Sequence, residues 1–125
     1  MPISTGIDRE TGLPISDLAH TRQSFRTILS TRLASRVMLR TFGALVPELL
    51  GRNQSPMLLA VFYQAISLAA YLWEPRLRVV QVLYPAPPNT PSTLRLGGII
   101  MAILADYRPY ALQGDTTTDV QRIYI

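Results

Sequence analysis

The apolar positions change rhythm along the chain. Between residues 55 and 73 the period is helical: Leu59, Phe62, Ile66, Ala69 and Trp73 recur at spacings of three and four, forming one continuous face. Leu58, Ala65 and Leu72 widen that face, which predicts a helix buried on much of its circumference. Ser55 stands where an N-cap is needed. Pro56 occupies the first turn, where a missing N–H costs nothing. A weaker stripe precedes it: Leu18, Phe25, Ile28 and Leu29, with Arg22, Gln23 and Arg26 between them. It predicts a first helix running to about residue 32, with Ser16 or Asp17 able to cap its free N–H groups.

Around these helices the pattern is less regular. Residues 1 to 16, broken by Gly6, Gly12 and Pro14, read as an irregular arm. Ser35 to Arg40 fits a short extended segment or a single helical turn, closed by Phe42-Gly43. Leu45, Val46, Leu49 and Leu50 suggest a short helical turn stopped by Gly51.

After residue 76 the period shortens. Leu77 to Tyr84 is rich in β-branched residues and too short for a helix, so it reads as a strand. Residues 85 to 92 hold four prolines and predict a loop. Thr93 to Leu104 reads as a second strand, antiparallel to the first, with Gly97-Gly98 marking a bulge or a close backbone approach. Asp106 to Pro109 turns the chain. Residues 120 to 125 have strand propensity but no assigned partner. The expectation is a single α+β domain: an arm (1–16), a helical part (17–73), a β-hairpin (74–105) and a C-terminal tail (106–125). Two main helices would pack on a small antiparallel sheet.

With 125 residues, 48% of them apolar, the chain can bury a core. Met57 to Trp73 approaches the length of a membrane span. Clear cap signals at both ends, and the need for a core helix, favour a buried helix without membrane insertion. The first residues lack a basic region followed by an apolar one, so synthesis and folding in the cytoplasm are expected.

Charge and residue types narrow the chemistry. The net charge is +4 and all twelve cationic residues are arginine, spread from Arg9 to Arg122. A nucleic-acid surface would cluster them and interleave aromatics, so no nucleic-acid partner is expected. Without cysteine, and with His20 as the single histidine, thiolate and two-histidine metal sites are excluded. No glycine loop cradles a phosphate, and no cofactor or metal is expected. His20 reads as an exposed residue in the first turn of the first helix. Glycoside hydrolysis needs a carboxyl of raised pKa. Glu10, Glu48 and Glu74 each lie near an arginine or in a presumed loop, and a nearby arginine lowers a carboxyl pKa. No catalytic residue is assigned.

The sharpest local feature is Trp73-Glu74-Pro75-Arg76-Leu77, where the long helix ends and the first strand begins. An acid at a helix C-terminus is disfavoured by the partial negative charge there. It becomes tolerable if a guanidinium meets it, from Arg76 or from Arg36 across the fold. Pro75 drives Glu74 out of the helical region and directs the strand. Local physics alone also allows an incidental surface ion pair at a helix stop.

This corner resembles the Glu-Pro-Arg signature of the baseplate wedge family of contractile phage tails, which includes the sheath-initiating baseplate subunit of type VI secretion systems. Further segments are similar in the same order: Gly6 to Gly12, Gln23 to Thr31, and Ser35-Arg36 with Phe42-Gly43. The family usually has glycine before the Ser-Arg pair, where this chain has Ala34. The resemblance covers roughly residues 6 to 84 and is nearest to the small wedge proteins of temperate myophages.

The resemblance implies a structural, non-enzymatic subunit of the virion tail baseplate, in six copies around the tail axis. Its partners would be the helical bundle of the larger wedge proteins and the tail sheath subunit, with the central spike, hub or tube initiator nearby. Glu74, Pro75 and Arg76 would dock the bundle, and Arg36 would be an internal partner of Glu74. The sheath would add its arms by strand addition to a hairpin template carrying Leu77, Val79, Val80, Val82, Leu94 and Leu96. Two alternatives follow from relatives of the family: a lysozyme-like hydrolase and a small anti-adaptor or regulator of similar fold.

Overall fold

Ser55 opens the longest helix with an extended backbone, and its hydroxyl accepts a hydrogen bond from Leu58 N at 3.2 Å. This is the N-cap that the sequence places there, followed by proline at the first helical position. The computed structural model describes residues 3–53, 55–85, 89–96, 100–115 and 117–124. In it this helix, α3, runs Pro56–Trp73. The other helices are α1 (Asp17–Ser30), α2 (Val46–Leu49) and α4 (Pro91–Arg95). The strands are β1 (Thr5–Ile7), β2 (Pro14–Ser16), β3 (Leu77–Leu83), β4 (Ala102–Tyr107) and β5 (Asp119–Tyr124).

α3 packs against α1, α2 and β3. Phe62, Ala65, Ile66, Ala69 and Ala70 are its buried face. They meet Phe25 and Ile28 of α1, Val46 and Leu49 of α2, and Leu77, Val82, Ile103, Ala105 and Tyr107 of the sheet in one core. The opposite face, with Met57, Leu68, Tyr71 and Leu72, is exposed. Burial on much of the circumference is therefore corrected to burial on one side. Among the described residues, the elements packed on α3 leave its other face uncovered. By length and composition α3 could cross a membrane, yet its buried side is the centre of this core.

The N-terminal arm is not irregular. β1 and β2 pair antiparallel in register Thr5↔Ser16, Gly6↔Ile15 and Ile7↔Pro14. Asp8 organises the turn between them. Its N–H donates to Leu13 O at 2.8 Å, its carbonyl accepts from Gly12 N at 2.9 Å, and its carboxylate accepts from Thr11 Oγ1 at 2.6 Å. The Thr11 hydroxyl, with the Glu10 backbone N–H, holds the Asp8 carboxyl below its ordinary pKa. Ser16 sits at the N-cap of α1 but makes no side-chain cap bond. Asp17, at φ +48°, instead turns its carboxylate to Ile3 N at 2.8 Å and Ser4 N at 3.3 Å, tying the hairpin to the helix. Local acceptors thus give the arm a structure that hydrophobic periodicity does not reveal.

Ser35 to Arg40 forms neither a strand nor a helical turn. It is a string of bends closed by Ala34 N donating to Arg40 O at 2.8 Å. Ala34 holds φ +63°, the left-handed conformation natural to glycine. Gly43, at φ +128°, lets the chain pass Thr31 closely; a Cβ there would sit 2.5 Å from Thr31 O.

The sheet has three strands in the order β3-β4-β5, all antiparallel. The ladder between β3 and β4 shifts register between Val79 and Gln81, leaving Val80 at a bulge. The second strand begins at Ala102, not Thr93. Leu94 lies in the short helix α4 and Leu96 in the turn after it, so neither belongs to a strand template. Pro91 takes the first helical position behind Thr90, a start signal that competes with the strand-like alternation that follows. Gly97-Gly98 lies outside the described residues. Asp106 and Tyr107 are strand residues, and the chain turns at Pro109 and Tyr110 before a 3₁₀ turn, Ala111–Gln113. The tail pairs as β5 and makes β4 the central strand. The expected hairpin is a three-stranded sheet, and the architecture is α+β.

Candidate functional site: the corner after the long helix

The corner forms because α3 cannot continue through Pro75. Glu74 caps the helix at φ −135°, ψ 75°, with its N–H donating to Ala70 O at 2.9 Å. Its carbonyl accepts from Leu77 N at 3.1 Å, which closes the turn into β3. Arg76 O accepts from Arg108 N at 2.7 Å, which ties the corner to the end of β4.

The two charges face each other inside the protein. Arg76 Nε donates to Glu74 Oε1 at 2.5 Å and Nη2 to Oε2 at 2.9 Å. Glu74 is 2% exposed and Arg76 6%, so the surface ion pair that local physics allows is instead a buried bidentate pair. The third guanidinium nitrogen, Nη1, donates to Ser4 Oγ at 3.0 Å, and His20 Nδ1 lies 3.3 Å from the same hydroxyl. His20 is half-buried with its ring against Gly6, not an exposed residue. The corner thereby anchors the N-terminal hairpin.

Pro75, between the two charged residues, is exposed. Arg36 is not a partner of Glu74. Its guanidinium lies 4.2 Å from the centre of the Phe42 ring, and Phe42 meets Trp73 edge-on at 5.0 Å. The reason is burial: Glu74 lies inside the protein bonded by Arg76, whereas Arg36 is exposed. Of the strand residues, Leu77 and Val82 are buried, Val79 half-buried and Val80 exposed.

A cleft of about 420 Å³ opens beside Pro75, between α3 and β3. Ser67, Ala70, Tyr71, Leu77, Arg78, Val79, Arg108 and Ala111 line it with Pro75. Ser67 Oγ and Arg108 Nε are shielded from solvent and have no hydrogen-bond partner among the described residues. Ser4, His20, Ser67 and Arg108 carry no local sequence signal for these positions; Ser4 and Arg76 are 72 residues apart.

Among the described residues, no group of three or more His, Cys, Asp or Glu could hold a metal ion. The carboxyls of Asp8 and Asp115 are both pushed below their ordinary range by hydrogen bonds, chiefly from Thr11 and Thr117, the wrong direction for a general acid.

Comparison with known proteins places this architecture. A subunit of the post-contraction baseplate of pyocin R2 superposes with a TM-score of 0.69 at 27% identity, covering 83% of this chain and 98% of that one. A putative tail lysozyme from Geobacter sulfurreducens shares the fold, at TM-score 0.60 and 22% identity over 89% of this chain and 94% of that one. The fold is that of small subunits of contractile-tail baseplates. Baseplate protein W of Escherichia phage P2 is 38% identical over 77 residues, 62% of this chain and 67% of the relative. The profile of the family described as baseplate wedge protein gp25 matches residues 16–102, and the chain belongs to that family. It is a baseplate component of a contractile tail.

Proposed function

We propose that this subunit joins the baseplate wedge to the sheath without catalysing a reaction. The observation that carries the proposal is the outer edge of β3, which among the described residues pairs only with β4, on one side. An edge strand presents free N–H and C=O groups to an incoming strand. The tail sheath subunit supplies that strand, and six copies around the tail axis seed the first sheath ring.

The corner is the wedge-side contact. The larger wedge proteins dock their helical bundle against the surface around Pro75, near the spike or hub and the tube initiator. Glu74 and Arg76 hold Pro75 in place from inside, and Arg36 stiffens the neighbouring Phe42 and Trp73. Assembly takes place in the cytoplasm of the bacterial host, and the product resides in the particle's baseplate.

A hydrolase reading rests on likeness to the putative tail lysozyme alone, and the carboxylates speak against it. Glu74 is held by Arg76, Glu48 meets Arg32 at 3.3 Å, and Asp17 accepts backbone N–H groups. The test is deletion of the coding sequence and complementation, read by electron microscopy of particles. Loss of sheathed particles and recovery on complementation is expected. Normal sheathed particles without the subunit would overturn the proposal, and cell-wall clearing by the purified protein would favour the hydrolase.

A further inference from the structure

The cleft beside Pro75 has an unmet chemical demand. Behind its wall, Arg108 Nε and Ser67 Oγ have no hydrogen-bond partner among the described residues. Arg78 lines the same wall, and among the described residues no carboxylate lines the cleft. Asp106 stands opposite Arg78 across the strand ladder but is not among the lining residues. A buried donor left unmade is costly, and such groups in folded proteins find acceptors.

A small planar anion suits such a lining. A guanidinium fork matches a carboxylate in two parallel bonds. The remaining walls are mostly apolar, and about 420 Å³ accommodates a few side chains, not a polyanion backbone. Tyr71, 81% exposed, stands at the mouth with exposed Pro75. Tyrosine and arginine are both enriched at protein interfaces.

We propose that this cleft receives an aspartate or glutamate side chain from a neighbouring wedge protein, with the Arg108 guanidinium as its anchor. The proposal rests on the wedge reading above and assigns the contact to the cleft, not to the Glu74–Arg76 pair.

The test places a photo-cross-linking benzoylphenylalanine at Tyr71 in particles from cells that encode this chain. The expected product joins position 71 to a wedge-protein peptide with an acidic residue near the cross-link. Arg108→Glu removes that product, and replacing the partner's acid by arginine in the Arg108→Glu background restores it. A product on a peptide without Asp or Glu, on sheath or on nucleic acid overturns the proposal, as does a cross-link unchanged by Arg108→Glu. Circular dichroism of the purified variant establishes folding. If Arg108→Glu unfolds, Arg108→Gln repeats the loss test, and the identity of the wild-type product decides in either case. Absence of the subunit from purified particles overturns the wedge reading itself. Its presence with a cross-link of the wrong chemistry overturns only the cleft.

Discussion

Across a single proline, Arg76 turns back and donates from Nε and Nη2 to both carboxylate oxygens of Glu74, with the two side chains shielded from water. The helix end disfavours the acid by a few tenths of a kcal/mol. Removing one member of the bidentate pair strands a buried charge at a cost of about 3–5 kcal/mol. Glu74→Ala and Arg76→Ala are each expected to lose that much, a large part of the roughly 5–15 kcal/mol of a typical domain. The double variant should lose less than the sum of the two. Urea unfolding of the purified subunit measures all three. Single losses below about 1 kcal/mol, as for a solvated pair, would contradict the buried geometry.

Ala34 offers a prediction of opposite sign. It holds φ +63°, which costs an L-residue with a side chain about 1–2 kcal/mol. Glycine relieves that strain but adds chain entropy to the unfolded state, offsetting roughly 0.5–1 kcal/mol. Ala34→Gly should therefore stabilise by about 0.5–1 kcal/mol, seen as a higher urea midpoint at unchanged slope. A lower midpoint would mean that the turn relaxes away from the left-handed region in solution.

These residues also mark how far the sequence was legible. α3 was readable to its ends, because Ser55-Pro56, the three-and-four spacing and Pro75 agree with one another. The corner was readable as an awkward acid beside an arginine, but its burial was not. That depends on Ser4 and on Arg108 N, which approach only in the folded chain. The N-terminal hairpin is held by Asp8, Asp17 and Gln23 bonds to backbone, for which hydrophobic period carries no information. Leu94 and Leu96 alternated like a strand, yet Thr90-Pro91 started a helix. β5 had strand propensity and no visible partner, since its partner is chosen by the edge that β3 leaves open on β4. The cleft joins α3 to the turn after β4, so only the fold brings Ser67 and Arg108 together.

Tyr84 donates its hydroxyl to Leu59 O at 3.0 Å, and burial raises its pKa above the ordinary 10.0. The folded protein therefore keeps a proton that the unfolded chain releases above that value. Stability from this group is complete below pH 10.0 and declines as pH rises through the folded pKa. Tyr84→Phe should remove that part of the alkaline decline. At neutral pH it should cost about 1 kcal/mol for the lost hydrogen bond. Urea midpoints compared between the two proteins at neutral and alkaline pH test both parts. Parallel alkaline declines would show that Tyr84 titrates as it does when unfolded.

Val80 tests the template. It sits at the bulge between Val79 and Gln81 and is not in register with any β4 residue. Proline there removes no paired ladder position, while its missing N–H and fixed φ break the outer edge of β3. Bulged positions tolerate proline better than paired ones, so a stability loss of about 1 kcal/mol or less is expected for Val80→Pro, against about 3 kcal/mol or more for proline in a regular element. Particles carrying the variant should retain the subunit in their baseplates yet lack sheath. Mass spectrometry of purified baseplates reports the first, and electron microscopy the second. Full-length sheath on particles that contain Val80→Pro would rule out β3 as the edge on which the sheath is built, whatever the wedge-side contact proves to be.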